Sequence, residues 1–217
     1  GLSGGKDSFT MLYFLDLLQK HTPLLFEIVP IYIDLGWENE IDSLKDFCKS
    51  LGMELIVEQT NIGRVVFETR KERNPCSLCS NLRRGAMNRV AKWYNCNKVA
   101  LGHHLDDVVH TLFMSMLYES RFNIFKPSTY LSRADITMIR PLIYVEERDI
   151  RLFVESMELK TVKNRCPADG FTKRHEVAEI LDQVEAMHPG ARRRILASLE
   201  NVGPDCFWQP GRKHKET

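Results

Sequence analysis

The sequence predicts an α/β fold, a doubly wound parallel sheet followed by a small C-terminal helical extension. Two observations predict it. Short apolar, β-branched runs alternate along the chain with helical patterns of about 12 residues, and polar or glycine-containing turns separate them. Strands that are joined through helices pair in parallel, with helices covering both faces of the sheet. We assign residues 1–160 to the α/β domain and residues 161–217 to the extension.

Hydrophobic spacing and chain breakers define the elements of the first half. Met11, Leu15 and Leu18 recur at helical spacing, which indicates the first helix. A β-branched run follows it and reads as a buried strand, although Pro30 within the run cannot donate a ladder hydrogen bond. A second helical pattern ends at Gly52 and leads into another strand. The predicted elements are the helix Ser8–Lys20, the strand Leu25–Ile33, the helix Glu38–Leu51 and the strand Met53–Val57.

The second half alternates in the same way. Pro75 breaks the chain before a helix, and Gly102 ends the strand that follows this helix. A polar stretch around Lys163–Arg174 then separates the last helical patterns from the rest. The predicted elements are the helix Ser80–Tyr94, the strand Lys98–Leu101 and the helices Asp106–Tyr118, Glu146–Met157, His175–Met187 and Ala191–Leu199.

Composition excludes several classes of protein. With 43% hydrophobic and 27% charged residues, the chain is neither disordered nor collagen-like, and no apolar run reaches the roughly 18 residues of a membrane helix. Six cysteines in 217 residues are too few for a disulfide framework, so we expect a cytoplasmic protein whose clustered thiols bind metal or act in catalysis. The charge is unevenly distributed along the chain. The net charge is +1 overall, but the segment Arg70–Lys98 has a net charge of +7 and the remainder a net charge of −6.

The N-terminal loop predicts an anion site. Two glycines allow the backbone to approach a ligand closely, a lysine adds a positive charge, and a helix N-terminus follows. The spacing is not that of a Walker loop, and the alternative is a plain glycine turn that caps the helix. Such loops normally follow a strand, so we expect that a leading strand is missing before this one. This segment, which we call the phosphate loop, consists of Ser3, Gly4, Gly5, Lys6, Asp7 and Ser8.

A second polar turn, Gly102-His103-His104-Leu105-Asp106-Asp107, follows a strand and opens a helix. Its two aspartates fall in the first helical turn, where the helix dipole favours acidic groups, and capping alone could explain them. Adjacent histidines point apart, so they do not form the i, i+4 zinc pair of a helix. The alternative for either histidine is a hydrogen-bonded structural role. Asp34 closes the predicted strand Leu25–Ile33 and is a candidate for the same edge of the sheet, or a turn cap.

The cysteines divide into two groups. Cys76 and Cys79 flank the start of a helix, whose N-terminus is expected to lower their pKa, and Cys166 lies in a later turn. A closed zinc site needs four ligands, and no second C-x-x-C occurs. Three thiolates can instead hold a cubane iron–sulfur cluster with one iron left open. A redox-active dithiol or a partial zinc site remains the alternative. Structural burial is expected for the remaining three, Cys48, Cys96 and Cys206.

Three motifs together resemble a known family. SGGKDS resembles the pyrophosphate loop of the PP-loop ATP pyrophosphatases, whose fold is of the adenine-nucleotide α-hydrolase type. GHHLDD is similar to the GHHxDD motif of the tRNA-modifying branch of this superfamily. PCSLCSNLRRG, with Cys166 later in the chain, resembles the tRNA 2-thiocytidine synthetases, the tRNA-cytidine sulfurtransferases. The likeness covers nearly the whole chain. The CPADGFTKR stretch departs from the paired cysteines of that family, which implies a divergent subgroup.

The resemblance implies the cofactors ATP, Mg²⁺ and a [4Fe-4S] cluster. It also implies tRNA as a partner and a sulfur donor such as a cysteine desulfurase, with no membrane partner and with a homodimer as a further expectation. The residues that would bind the nucleotide are Ser3, Gly4, Gly5, Lys6, Asp7, Ser8, Asp34, Gly102, His103, His104, Asp106 and Asp107. Catalytic roles fall on Cys76, Cys79, Cys166, Lys6 and Asp107, metal ligation on the same three cysteines, and RNA binding on Arg83 and Arg84.

The nucleotide-binding motifs and the cysteine motif fit one reaction. Oxygen on a base carbonyl is a poor leaving group, and transfer of AMP to it creates a good one, which sulfur can then displace. Together with this chemistry, the resemblance implies ATP-dependent thiolation at C2 of a cytidine in the anticodon loop. The alternatives are thiolation of another base or substrate, and a nucleotide-binding redox or zinc protein that transfers nothing. The main hypothesis requires the phosphate loop and the cysteines to open onto one cavity.

Overall fold

The computed structural model describes residues 1–37, 39–71, 75–162, 165–167 and 173–203. Helices and strands alternate through most of this part of the chain, as predicted. Its helices are α1 (Lys6–His21), α2 (Asp42–Ser50), α3 (Ile62–Arg64), α4 (Pro75–Trp93), α5 (Leu105–Glu119), α6 (Glu147–Ser156), α7 (Lys173–Met187) and α8 (Ala191–Glu200), with a π-helical segment at Val65–Arg70. Its strands are β1 (Ile31–Asp34), β2 (Ile56–Gln59), β3 (Lys98–Ala100), β4 (Ser128–Leu131) and β5 (Ile136–Ile139).

The strands form two hydrogen-bonded groups with the N-terminal residues between them. β1 pairs in parallel with β2, while β3 pairs in parallel with β5, whose other edge takes β4 in antiparallel orientation. Leu2 makes a parallel bridge to Tyr32 of β1, and the amino group of Gly1 donates to the carbonyl of Ala100 in β3 at 2.9 Å. The carboxyl ends of the central strands therefore converge on the loop that follows Leu2.

Side-chain alternation along β1 shows why helices cover both faces. Ile31 and Ile33 point to one side and pack in a core with α4, whereas Tyr32 points to the other and packs with α1 and α2. Every second residue of a strand faces the same side, so three consecutive buried residues need a cover on each face. The doubly wound α/β prediction is confirmed.

Several elements begin a few residues from their predicted starts, and the two largest differences are in β1 and α4. β1 starts at Ile31, directly after Pro30, because proline cannot donate to the ladder and its carbonyl alone is used, accepting from the N–H of Ile56 at 2.9 Å. α4 starts at Pro75, where proline suits the first helical turn. Cys76 and Cys79 therefore lie inside the helix rather than before it. The hairpin strand β4 and the π-helical segment were not predicted.

The C-terminal helices pack on α5. Val177 and Leu181 of α7 and Leu196 of α8 share one buried apolar cluster with Val108 and Val109 of α5. The domain boundary at residue 160 stays a prediction. None of the helices in the described part of the chain is long and apolar enough to cross a membrane.

Candidate active site

A cavity of about 390 Å³ lies where the phosphate loop, the histidine–aspartate turn and α4 meet. Apolar strand residues such as Ile33 and Val99 form part of its wall. The polar residues around it are Ser3, Asp7, Ser8, Ser80, Arg83, Arg84, Asn88, His103, Asp107 and Arg140. The structure therefore brings together the loop and the turn that were predicted from separate motifs. The cysteine-bearing helix contributes Ser80, the residue directly after Cys79.

The conformation of the phosphate loop depends on Gly4, because any other residue at this position would be strained. Gly4 has a φ of +79°, and its carbonyl accepts a 2.8 Å hydrogen bond from the N–H of Val162. A Cβ at this position would lie 2.5 Å from Val162. Gly5 has a φ of −81°, and a Cβ there would meet only the Ser3 hydroxyl, at 3.5 Å. The hydroxyl of Ser8 donates to the Gly5 carbonyl at 2.8 Å and stabilises the first turn of α1.

Lys6 is held between two carboxylates. Its Nζ lies 2.9 Å from Asp7 Oδ1 and 2.9 Å from Glu147 Oε1. Burial alone would lower the pKa of Lys6, but these two carboxylates outweigh it and raise the pKa, so the ammonium stays charged. Glu147 was not among the predicted site residues. No local pattern reveals it, because it reaches the loop from the start of α6.

The histidine–aspartate turn packs directly on the phosphate loop. A Cβ on Gly102 would come within 3.0 Å of the Asp7 backbone, so only glycine allows this approach. His104 is buried, with its Nδ1 3.6 Å from Asp106 Oδ2 and its Nε2 3.5 Å from Asp107 Oδ2. Burial would lower the pKa of His104, but the surrounding carboxylates raise it. The buried imidazole thus favours a positive charge among acidic groups.

Arginines from the C-terminal helices neutralise the negative charges of Asp106 and Asp107. Asp106 Oδ1 lies 3.1 Å from Arg192 Nε, and its Oδ2 accepts the N–H of Glu147 at 2.7 Å. Asp107 Oδ1 accepts a 2.9 Å hydrogen bond from Arg174. Burial would raise the pKa of Asp106, yet its bonds to His104 and Glu147 and the charge of Arg192 lower the pKa to about 2. Sequence reasoning did not link either arginine to the nucleotide site.

We expect the substitution Asp106→Asn to destabilise the protein by about 2 kcal/mol at pH 7, since the pKa of this carboxyl falls from 3.8 to about 2 on folding. A depressed pKa contributes stability above pH 3.8 that is lost as the pH falls toward 2. Urea unfolding of both proteins should therefore show a constant difference from pH 7 to pH 5 and a smaller one below pH about 4. A difference that grows on acidification would contradict this assignment.

His103 presents a different environment. The imidazole ring of His103 stacks on the Phe125 ring with centroids 4.6 Å apart. The guanidinium of Arg140 lies 5.1 Å from the centroid of the Phe125 ring. Burial lowers the pKa of His103, and the cation of Arg140 lowers it further against the opposing effect of Asp107. The pKa values of the two adjacent histidines are thus shifted in opposite directions, toward the neutral form for His103 in the cavity wall and toward the protonated form for the buried His104.

The structure places Asp34 at the carboxyl end of β1, where its Oδ1 accepts the N–H of Gly36 at 2.8 Å. This is the turn-capping geometry that the sequence left open. The preceding residue, Ile33, lines the cavity. A role of Asp34 in nucleotide binding stays a prediction.

Cys76 and Cys79 lie at the start of α4 and, like Cys166, are not among the residues that line the cavity. Cys76 is exposed and Cys79 half-buried, and both lie in the first turns of the helix. Burial raises the pKa of Cys79, Arg83 opposes this, and the nearby thiols of Cys166 and Cys76 raise the pKa further. The expected lowering by the helix N-terminus is therefore wrong for Cys79, because desolvation dominates. Cys166 is half-buried, and its place beside the pair as a third ligand stays a prediction.

Three thiol donors fit the chemistry of an iron–sulfur cluster, whose irons bind cysteine thiolates. Within the described ranges, no group of three or more His, Cys, Asp or Glu side chains is placed to hold a metal ion. The thiolates of a cubane cluster each bind a different iron, so they need not converge on one point. Of the other cysteines, Cys48 is fully buried, as predicted, Cys96 is half-buried, and Cys206 lies outside the described residues.

Comparison with known proteins identifies the family of this chain. The family profile of the PP-loop domain matches residues 1–179. The tRNA-cytidine(32) 2-sulfurtransferase of Ralstonia pickettii (strain 12J) is 38% identical over 208 residues, which are 94% of this chain and 65% of that protein. The enzyme of the same name from Citrifermentans bemidjiense (strain ATCC BAA-1014) is 34% identical over 218 residues, 99% of this chain and 86% of the relative.

A solved structure is also similar. The U34-tRNA thiolase NcsA from Methanococcus maripaludis, determined with its [4Fe-4S] cluster, superposes with a TM-score of 0.76 at 30% identity, over 93% of this chain and 69% of that one. The fold and the loop thus define a nucleotide-binding α/β protein of the PP-loop class. The chain belongs to the PP-loop family and groups within it with the tRNA-cytidine(32) 2-sulfurtransferases, which confirms the resemblance predicted from the motifs. It spans about two thirds of the length of the Ralstonia relative.

Proposed function

We propose that the protein is an ATP-dependent tRNA sulfurtransferase that replaces the C2 oxygen of a cytidine in the anticodon loop with sulfur. One observation carries the proposal. The phosphate loop and the helix that bears Cys76 and Cys79 border the same cavity, with Ser80 and Ser8 in its wall. A base that enters this cavity is within reach of an activating nucleotide and of a sulfur source at once.

The loop residues bind and orient ATP in this proposal. Backbone amides at the N-terminus of α1 and the ammonium of Lys6 hold the β and γ phosphates, which leaves the α phosphorus open to attack by the base oxygen. Lys6 exchanges its contact with Asp7 for the phosphates. Mg²⁺, when bound, screens these phosphates from Asp7 and Asp107, since it takes one or two carboxylates together with phosphate oxygens. His103 is neutral and available as a hydrogen-bonding wall of the cavity.

Cys76, Cys79 and Cys166 hold the [4Fe-4S] cluster in this proposal, and the cluster or a persulfide supplies sulfur as a soft nucleophile. The exchange balances directly when sulfur arrives as sulfide, whereas transfer from a persulfide also needs a second thiol that cleaves the S–S bond and ends as a disulfide. The C2–O bond breaks, a C2–S bond forms, and the oxygen departs on AMP after pyrophosphate has been released. Water must be kept away from the activated carbon, which a cavity walled in part by apolar strand residues favours.

Arg83 and Arg84 are the proposed contacts to tRNA, and both line the cavity. The positive segment Arg70–Lys98 supports an RNA substrate, because RNA binding depends largely on phosphate contacts. A cytoplasmic location, a sulfur donor such as a cysteine desulfurase and a homodimer belong to the same proposal.

The test is reconstitution of thiolation without oxygen. Purified protein, ATP, sulfide and unmodified tRNA should yield 2-thiocytidine by nucleoside mass analysis, together with AMP and pyrophosphate in equal amounts. Omission of ATP should abolish the product. An absence of any thionucleoside from protein with an intact cluster would reject the proposal, and RNA-independent redox change of the thiols alone would favour a sensor.

A second candidate is thiolation of a uridine. The structural similarity to a U34-tRNA thiolase favours it, and the same adenylation chemistry applies to either pyrimidine. The mass analysis separates the two, because 2-thiouridine and 2-thiocytidine differ in mass and in the tRNA fragment that carries them.

A further inference from the structure

Two arginines outside the phosphate loop, Arg84 and Arg140, form a positively charged part of the cavity wall, which we call the corner. Arg84 projects from α4, and Arg140 directly follows β5. We propose that Arg84 and Arg140 form a second phosphate-binding subsite, which takes a backbone phosphate of the RNA at the nucleotide to be modified. This inference rests on the proposed function, and it adds a substrate-positioning role for Arg140.

The charge balance of the cavity wall supports an anionic ligand here. The two carboxylates in the wall are already neutralised, Asp7 by Lys6 at 2.9 Å and Asp107 by Arg174 at 2.9 Å. Within the described part of the chain, no carboxylate lies within ion-pairing distance of the guanidinium groups at 84 and 140. The corner therefore carries uncompensated positive charge.

The two guanidinium groups also repel each other. Burial lowers the pKa of Arg140, and the charge of Arg84 lowers it further. Like charges held near each other in a partly desolvated wall are costly unless an anion joins them. A phosphate offers several acceptor oxygens and can bind more than one guanidinium in the planar geometry that arginine favours.

Arg140 is held in place before any ligand arrives. Its Nη1 donates to the carbonyl of Lys126 at 2.6 Å, and its guanidinium lies over the ring of Phe125. Its Nε is buried and has no hydrogen-bond partner. A buried donor without a partner costs free energy, so this N–H is a ready contact for a ligand oxygen.

RNA is a better source of the phosphate than ATP. The loop Ser3–Ser8 already offers the helix N-terminus and Lys6 to the nucleotide triphosphate. Arg84 belongs to the +7 segment and lies on the same helix as Cys79, five residues further along. A base that enters the cavity brings its own backbone phosphate to the rim. The shared chemistry is phosphate binding, and the experiment separates the two sources.

The test compares RNA and ATP affinity in Arg84→Gln, Arg140→Gln and Arg140→Lys. The matched control is Arg121→Gln, because Arg121 lies outside the segment Arg70–Lys98, pairs with Glu119 at 2.7 Å and is not part of the cavity wall. Affinity for an anticodon stem–loop RNA is measured by fluorescence anisotropy without ATP at several salt concentrations, and affinity for ATP by calorimetry.

We expect each glutamine variant to weaken RNA binding about tenfold and to reduce the salt slope by about one, as for the loss of one phosphate contact. Arg140→Lys should fall between wild type and Arg140→Gln, because it keeps the charge but loses the planar fork. Affinity for ATP should stay within about twofold of wild type, and Arg121→Gln should match wild type in both assays.

Unchanged RNA affinity in Arg84→Gln and Arg140→Gln would overturn the inference. So would a tenfold loss of ATP affinity with RNA affinity intact, because the phosphate would then be that of ATP. Arg84 is exposed, so its substitution carries the test should the Arg140 variants unfold. Binding is measured without turnover, so failure of wild type to form a thionucleoside would reject the proposed function while leaving the binding result readable.

Discussion

Replacement of any one of Cys76, Cys79 and Cys166 by alanine is expected to abolish both the cluster and the formation of 2-thiocytidine. A cubane cluster held by three thiolates has no spare protein ligand, so the loss of one leaves an iron without its anchor. The measurement is the absorption spectrum with iron and sulfide content after anaerobic purification, followed by nucleoside mass analysis. We expect product below detection in each variant.

The matched control for this prediction is Cys96→Ala, a half-buried thiol just beyond the C-terminal end of α4. It should keep the cluster and the activity. ATP affinity should stay within about twofold of wild type in all four variants, because the phosphate loop is a separate part of the cavity wall. Retention of the cluster in all three ligand variants would mean that its ligands are misassigned.

The second large effect is expected from Gly4→Ala. Alanine at a φ of +79° costs about 1–2 kcal/mol, and its Cβ would in addition lie 2.5 Å from Val162. The loop can relieve this contact only by moving, which displaces the amides that hold the phosphates. We expect a fall in ATP-dependent AMP formation of at least about 100-fold, together with a lower midpoint of thermal unfolding.

Two other glycines separate the causes of that effect. Gly52 has the same φ of +79° with nothing within 4 Å of a Cβ, so Gly52→Ala should lose about 1 kcal/mol of stability and keep its activity. Gly5 is unstrained at a φ of −81°, so Gly5→Ala should keep the wild-type unfolding midpoint. Equal losses of stability in Gly4→Ala and Gly52→Ala would show that the contact with Val162 is unimportant.

The sequence predicted the layers of the fold and the motifs of the site because both are encoded locally. Alternating apolar runs identified most of the helices and strands, and loops such as Ser3–Ser8 lead into a helix N-terminus that can be read from neighbouring residues. Start points were less certain. Pro75 was read as a break before the helix, whereas it forms the first helical residue and draws Cys76 into the helix.

The residues that sequence reasoning missed are those that reach the site from distant elements. Glu147 meets Lys6 across 141 positions of the chain, and Arg192 meets Asp106 across 86. Charged residues at the start of α6 and α8 resemble ordinary solvent-exposed positions when only the sequence is read. Their partners follow from the packing of α1 on α6 and of α5 on α8.

The ion pairs of Arg174 and Arg192 have a consequence for cooperativity. Both arginines belong to helices whose apolar residues complete the cluster around α5, so the same packing that buries Val177 and Leu196 also delivers the cations to Asp107 and Asp106. Local opening of α7 and α8 would expose this apolar surface and would at the same time remove the positive charges that neutralise Asp106 and Asp107. Opening of α7 and α8 and loss of the counter-charges of Asp106 and Asp107 are therefore thermodynamically coupled.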